Sequence, residues 1–469
     1  MSWKKLPEQP ILTLVFFLIV GCLQANGQQT SQQSIRANAQ QSIQHGLQVN
    51  ARQSFRLEDL VRLSLAENYQ LQIVRKQQQM AENMRTAGNA GMLPVVGLGM
   101  DQSWNVETSE ANLYTGVTRS GENARSARFN AFVALDWVVF DGFSMFARRD
   151  RLGLLAEMGE LETRYYIEQT VADLARAYYR LIMEQRLLES SSDLLEISAF
   201  RLNLETRRMQ LGSGDALQYH QARVDFNADS ALVVARKQNV RELQIQINRL
   251  VQQEPDMPVQ TAEAEITLHG VSPVADLVER AVTSNRDLEL ARLQEMLAEA
   301  DYRVERGGRY PQVSLFGDYA LTRQRSELGI VESSEARGTQ FGIRVRFNLF
   351  DGGRQSTRIR NMALEQESRA IEESDVRSLI HSEAYLLVSR YTAHIEQVRL
   401  LRSSIEAAER SLSIAREQLQ TGAINGYEFR QTQLSVLQLE NQLIELQYAM
   451  KTIEIDLDRI TGALINRIL

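Results

Sequence analysis

Apolar positions along this chain repeat with two different periods, and the switches between them mark out its elements. Between Gly142 and Gly212 no proline or turn cluster intervenes, and apolar residues recur at spacings of four and three: Ile167, Val171, Leu174, Tyr178, Leu181, Leu188, Leu195, Ala199, Leu202 and Met209. That pattern predicts one coiled-coil-type helix about 100 Å long at 1.5 Å per residue. The final stretch keeps the same seam through Phe429, Val436, Leu439, Leu443, Leu446, Met450, Ile453, Leu457, Ile460 and Leu464. Elsewhere the period drops to two, as in half-buried strands. Phe341, Ile343, Val345 and Phe347 alternate with Gln340, Gly342, Arg344 and Arg346; Phe129, Ala131, Val133, Leu135 and Trp137 alternate with Asn130, Ala134 and Asp136. After Pro311 and after Pro94 the same alternation sets Val313, Leu315, Tyr319 and Leu321 against Asp318, and Val96, Leu98, Met100 and Trp104 against Asp101.

These elements occur twice. Phe140-Asp141-Gly142 returns as Phe350-Asp351-Gly352, and Gly212 pairs with Gly422 at the same offset of 210. Upstream, Asp59-Leu60-Val61 pairs with Asp276-Leu277-Val278, and Pro94 with Pro311, at an offset of 217. The first copy therefore carries about seven more residues between Pro94 and Phe140, expected in a loop, where insertions are best tolerated. Each copy reads as helix, strand, loop, strand, long helix, turn, helix. The expected layout is a first repeat at 55–253, a linker at 254–273 packed outside the helical wall, and a second repeat at 274–469. Strands are expected at about 94–104, 128–139, 311–321 and 340–350. The helices at about 57–87 and 215–251 sum to the length of the long one, so they can stack end to end beside it, antiparallel; 274–306, 354–420 and 427–461 repeat the scheme.

Strands of roughly ten residues are long enough to cross an outer membrane when tilted, with Trp104, Trp137, Phe347 and Phe350 near their ends as interfacial aromatics. Four strands are too few to close around an open lumen, so strands of several chains must combine. The polar strand faces, with Asp101, Asp136, Asp318, Arg344 and Arg346, would then line a wet, charged interior.

The duplicated Phe-Asp-Gly after the second and fourth strands, the prolines opening the first and third, and the glycine-bearing helix turns resemble the TolC family of outer-membrane efflux proteins, over about Leu57 to Ala463. The resemblance implies a mainly α chain with a β-barrel contribution. Three chains would form a twelve-stranded barrel continuous with an α-helical periplasmic tunnel. It also implies a passive exit duct for a tripartite efflux pump or a type I secretion system, docked onto a periplasmic adaptor and driven by an inner-membrane pump. The turns holding Gly212, Gly214, Gly422 and Gly426 would be the adaptor-contacting tips. Six and nine residues beyond the second turn glycine, where relatives place two aspartates at the entrance, stand Glu428 and Gln431. Glu428 keeps a carboxylate and Gln431 does not. Three copies of Glu428 near an axis would repel one another and attract cations.

Composition narrows the alternatives. Lys4 and Lys5 precede an apolar run from Ile11 to Val20, which reads as an export signal and is too short to span a bilayer. Cys22, the single cysteine, sits in a lipoprotein-like Val20-Gly21-Cys22; cleavage after Gly27 (a signal at 1–27) is the ordinary alternative. A Gln/Ser-rich leader is expected at 28–54. A net charge of −7 argues against a nucleic-acid partner, and one cysteine excludes a disulfide framework. The five histidines are scattered, with no ligand spacing, and no phosphate loop is present, so neither an enzyme nor a cofactor is expected. The rival from another class is a soluble periplasmic coiled-coil scaffold or adaptor.

Overall fold

A computed structural model describes residues 54–469 except 113, 115 and 328–330. The export signal, Cys22 and nearly all of the leader lie outside the described residues. Ahead of Arg56 only a two-residue extended segment, β1 (Ser54–Phe55), is described. From Arg56 to the C-terminus the chain is one unit.

Each half of that unit opens with a pair of helices, α1 (Leu57–Glu67) and α2 (Tyr69–Met84) in the first, α5 (Val274–Ser284) and α6 (Arg286–Gly307) in the second. The sequence pattern suggested a single helix in each place. The break falls on Asn68 in one and on Asn285 in the other, equivalent under the offset of 217. Both are extended N-caps whose side-chain oxygens accept a first-turn amide, Leu71 N–H at 3.0 Å and Leu288 N–H at 3.1 Å. Their amides donate to Leu250 O at 3.3 Å and Ile460 O at 3.2 Å, carbonyls at the C-terminal ends of the return helices. One asparagine thus starts a helix and satisfies the end of the helix it abuts, so the two short helices meet end to end.

The long helices are α3 (Ser144–Gln210) and α7 (Arg354–Thr421); the return helices are α4 (Ala216–Val251) and α8 (Gly426–Ile460); a short α9 (Leu464–Ile468) ends the chain. At each strand-to-long-helix junction the repeated Phe-Asp-Gly has a physical role. Asp141 accepts Met145 N–H at 3.0 Å and also pairs with Arg148, while Asp351 accepts Gly353 N–H at 3.1 Å and Gln355 N–H at 2.9 Å. The carboxylate therefore caps the orphan amides of a helix N-terminus. Gly142 and Gly352 hold positive φ (+69° and +73°), and a Cβ on Gly142 would meet Gly307 O at 2.2 Å.

A core joins α5, α6, α7 and α8 through Leu277, Leu288, Ile380, Leu387, Tyr391 and Leu457. On α3 the buried stripe keeps Val171, Leu174, Tyr178 and Leu181, then moves to Leu187, Leu194, Ser198 and Arg201, leaving Leu188 and Leu195 half-buried. The segment at 254–273, which includes the two-residue β4 (Gln260–Thr261), lies against the return helices. Asn248 donates to Met257 O at 2.8 Å and Gln244 to Val259 O at 3.0 Å. Buried Glu454 accepts the backbone amides of His269 (2.8 Å) and Gly270 (3.0 Å) and the Tyr391 hydroxyl (2.9 Å). Burial, then the bond to Glu454, pushes the Tyr391 phenol up to about 12.

The strands are β2 (Val95–Asn112), β3 (Thr118–Phe140), β5 (Gln312–Ser326) and β6 (Ser333–Arg346), hydrogen-bonded antiparallel in the order β2-β3-β5-β6. Both hairpins are longer than the apolar alternation that marked them. Past Val106 and Leu321 the outward positions turn polar while the backbone ladder continues, since backbone pairing does not depend on side-chain polarity. Trp104 consequently stands at mid-strand, one outward position short of the end of the apolar band at Val106, and Phe347 and Phe350 follow the end of β6. The extra residues of the first copy lengthen the arms of its hairpin, 18 and 23 residues against 15 and 14, and not its connecting loop.

Candidate functional site

Strand register places all five of the charged residues singled out above on one face. Asp101 stands opposite Asn130, Asp318 opposite Ala134 and Gln340, Asp136 opposite Phe316, Arg344 opposite Ser314, and Arg346 opposite Gln312. Arg344 reaches across the sheet to Asp136 at 3.4 Å, with its guanidinium 4.6 Å from the centre of the Phe316 ring. The opposite face is an apolar band open to the surroundings: Leu98 is 81% exposed, Phe341 86%, and Val96, Met100, Trp104, Ile343 and Val345 are exposed as well. A soluble monomer rarely leaves an apolar surface of this extent uncovered.

Two aromatics of the polar face were not anticipated, Phe132 and Phe316. Phe132 lies over Gly99 and Phe316 over Gly342, so a Cβ on either glycine would meet the ring within 3 Å. These are the same cross-strand position in the two hairpins with the residues exchanged, an aromatic covering the backbone of the glycine opposite it. A large residue paired with a glycine across a hairpin is the signal that would have found them.

The helix turns form the other end of the site. Gly212 and Gly422 end α3 and α7 in the left-handed region (φ +74° and +79°), with open space where a Cβ would stand, so conformation alone demands glycine there. Gly214 and Gly426 are needed for space instead. A Cβ on Gly214 would meet Met209 N at 2.5 Å, and one on Gly426 would meet Arg201 Nη2 and Gln218 Oε1, both at 2.8 Å. Asp215 and Asn425 cap the return helices, accepting from Leu217 N–H at 2.9 Å and Glu428 N–H at 2.9 Å. Glu428 is exposed and completes a capping box, its Oε2 accepting the Asn425 N–H at 3.1 Å; Gln431 is exposed one turn further on.

Behind this turn lies a buried ionic cluster that the sequence pattern did not reveal, because its members come from three helices. Arg430 of α8 makes two 2.7 Å bonds to the two oxygens of Asp229 on α4 and one of 3.2 Å to Ser198 on α3. Arg201 of α3 bonds Asp225 at 2.6 Å, and Ser198 donates to Asp229. Arg201, Asp229 and Ser198 are buried, so these charges are paired because burial requires it. Phe429, Leu419 and Ala415 form a small apolar core beside them. The exterior of the tips carries apolar residues in water: Leu211 is 82% exposed, Leu217 60% and Tyr427 67%.

A sheet polar on one side and apolar on the other, carried on very long paired helices, defines a membrane channel component. Among the described residues no helix is long and apolar enough to cross a membrane. The family model for outer membrane efflux proteins matches residues 60–251 and 277–463, one match on each half, and the chain belongs to that family. It is similar to the cation efflux system protein CusC of Escherichia coli strain K12, 19% identical over 361 residues, covering 74% of this chain and 78% of that one. Among solved structures, the CmeC outer membrane channel of Campylobacter jejuni superposes with a TM-score of 0.73 at 14% identity, over 87% of this chain and 86% of that chain. The outer membrane protein VceC of Vibrio cholerae does so with a TM-score of 0.70 at 17% identity, over 87% and 96%. The chain is an outer-membrane efflux channel protein whose helical part stands in the periplasm.

Proposed function

We propose that three copies of this chain assemble into one twelve-stranded barrel and a continuous helical tunnel, the passive exit duct of a tripartite efflux or type I secretion machine. The observation that carries this reading is the four-stranded sheet whose edges, β2 and β6, are unpaired among the described residues, with a charged face and an apolar face. Unpaired edges cannot stand in hydrocarbon, where every backbone amide needs a partner. Closure with neighbouring copies supplies those partners and leaves the apolar face to lipid. Asp101, Asp136, Asp318, Arg344 and Arg346 then line the lumen and set its charge.

At the other end the tips at Gly212–Gly214 and Gly422–Gly426 receive a periplasmic adaptor linked to an inner-membrane pump. Exposed Leu211, Leu217 and Tyr427 support a protein-docking role, since isolated tips have no folding reason to carry them. Glu428, with one carboxylate oxygen capping its own helix, forms a threefold acidic entrance ring, with neutral Gln431 beneath it. The mass of the detergent-extracted protein, measured by light scattering with the detergent subtracted, tests the assembly. Three chains per particle is expected, and a monodisperse monomer that needs no detergent would overturn it in favour of a periplasmic scaffold.

A further inference from the structure

The open edges β2 and β6 have a template inside the same chain. The two hairpins obey the sequence offsets residue for residue: Val95 opposite Asp136, shifted by 217 and 210, becomes Gln312 opposite Arg346, which is the observed pair. The same offsets relate β2 to β5 and β6 to β3. The β3–β5 contact, where the first repeat meets the second, is therefore the internal image of the contact that β6 would make with β2 of another copy.

We propose that β6 of one copy pairs antiparallel with β2 of the next in the register already present between β3 and β5, so that Arg344 stands opposite Asp101 of the neighbouring copy. This rests on the trimeric barrel proposed above and specifies its seam. Ala134 opposite Asp318 maps to Arg344 opposite Asp101, Val133 opposite Tyr319 to Ile343 opposite Gln102, and Ala131 opposite Leu321 to Phe341 opposite Trp104. Leu135 opposite Gly317 maps to Val345 opposite Met100, and Asn130 opposite Thr322 to Gln340 opposite Asn105. Apart from Ile343 with Gln102, each of these pairs joins complementary partners. Two amides and an ion pair face the lumen, and an aromatic pair and an aliphatic-methionine pair face lipid. Asp101 has no ion-pair partner among the described residues, and Arg344 has a single distant one in Asp136 at 3.4 Å.

Charge alone does not select this register. Parity forbids a slip of one residue, which would turn the apolar positions of β6 inward. A slip of two would instead set Arg346 opposite Asp101. The repeat decides between them, and cross-linking tests the choice. Ile343→Cys is combined in turn with Gln102→Cys, Met100→Cys or Trp104→Cys, and Gln340→Cys with Asn105→Cys, in full-length protein in outer membranes. The pairs Ile343/Gln102 and Gln340/Asn105 lie on opposite faces, so one of them is a non-hydrogen-bonded pair with the short Cβ separation a disulfide needs. Single-cysteine variants give the background from Cys22, the only native cysteine.

The expected result is a dimer and trimer ladder on oxidation, several times stronger for the directly opposite pairs than for the slipped ones. Arg344→Asp should lower the fraction of detergent-resistant trimer, and adding Asp101→Arg should restore it. Strongest linking through Ile343/Trp104 or Ile343/Met100, or restoration of trimer by Arg346→Asp with Asp101→Arg instead, would overturn the register while the trimer stands. Absence of any linked species, with monomers by light scattering, would overturn the trimeric reading itself.

Discussion

Replacing Arg430 by alanine is the perturbation with the most calculable consequence at the helical tip. Its guanidinium is the bidentate partner of Asp229, whose side chain is 4% exposed, and it holds Ser198 as well. Removing one member of a buried pair costs about 3–5 kcal/mol, because the remaining charge is left without compensation. Here Ser198 still donates to Asp229 and Arg201 lies close by on Asp225, so the lower end applies, about 3 kcal/mol. Global unfolding of an assembled membrane protein is not two-state, so the effect is better read locally. Native-state hydrogen exchange at amides 422–436 reports tip opening directly. A loss of about 3 kcal/mol should speed that exchange by roughly a hundredfold, with the sheet and the core around Tyr391 unchanged. The double variant Arg430→Met with Asp229→Leu removes both charges and should recover most of the protection. Exchange at wild-type rates in Arg430→Ala, or a double variant no better protected than the single one, would refute the reasoning that paired burial holds this tip together.

Other consequences follow from the same geometry. Gly426→Ala drives a methyl into Arg201 and Gln218 at 2.8 Å and should loosen the same amides, whereas alanine at exposed Gly338, which has open space around it, should change nothing there. Asn285→Ala removes a helix cap and the donor to Ile460 O together, an expected loss of about 1–3 kcal/mol, measurable as faster exchange at the start of α6 and the end of α8. Tyr391 ionises near 10 when unfolded but near about 12 when folded, so the folded state holds its proton longer. That contribution is complete below pH 10 and is lost as pH rises through the folded value; wild-type stability should fall more steeply between pH 10 and 12 than that of Tyr391→Phe. Leu98→Arg, on the apolar face, should impair membrane assembly, while Gly97→Arg on the charged face should be tolerated, as seen in the yield of outer-membrane protein.

Much of this architecture was legible in the residues because long-range order here is written as repetition. The period of the long helices, the alternation of the strands and the paired Phe-Asp-Gly marked the two long helices and the two hairpins. The capping role of Asp141 and Asp351 explains why that motif punctuates the chain at those two places. The helix breaks at Asn68 and Asn285 were hidden because an asparagine inside a polar helical stretch looks like a surface residue. Only its bond to a carbonyl some 180 positions away makes it a cap and a joint. Strand ends were misplaced because the apolar band marks where a hairpin meets lipid, while backbone pairing runs on past it. The ionic cluster at Ser198, Arg201, Asp225, Asp229 and Arg430 draws on three helices with no common spacing, so periodicity could not gather it. The five charged residues assigned to one strand face, by contrast, needed nothing beyond parity.

That this protein forms a pore is tested most directly by planar-bilayer recording of the purified, detergent-extracted protein. Discrete, long-lived conductance steps are expected, with higher conductance or weaker cation preference in Glu428→Ala. A protein that stays soluble, never inserts and leaves the bilayer silent would contradict the pore.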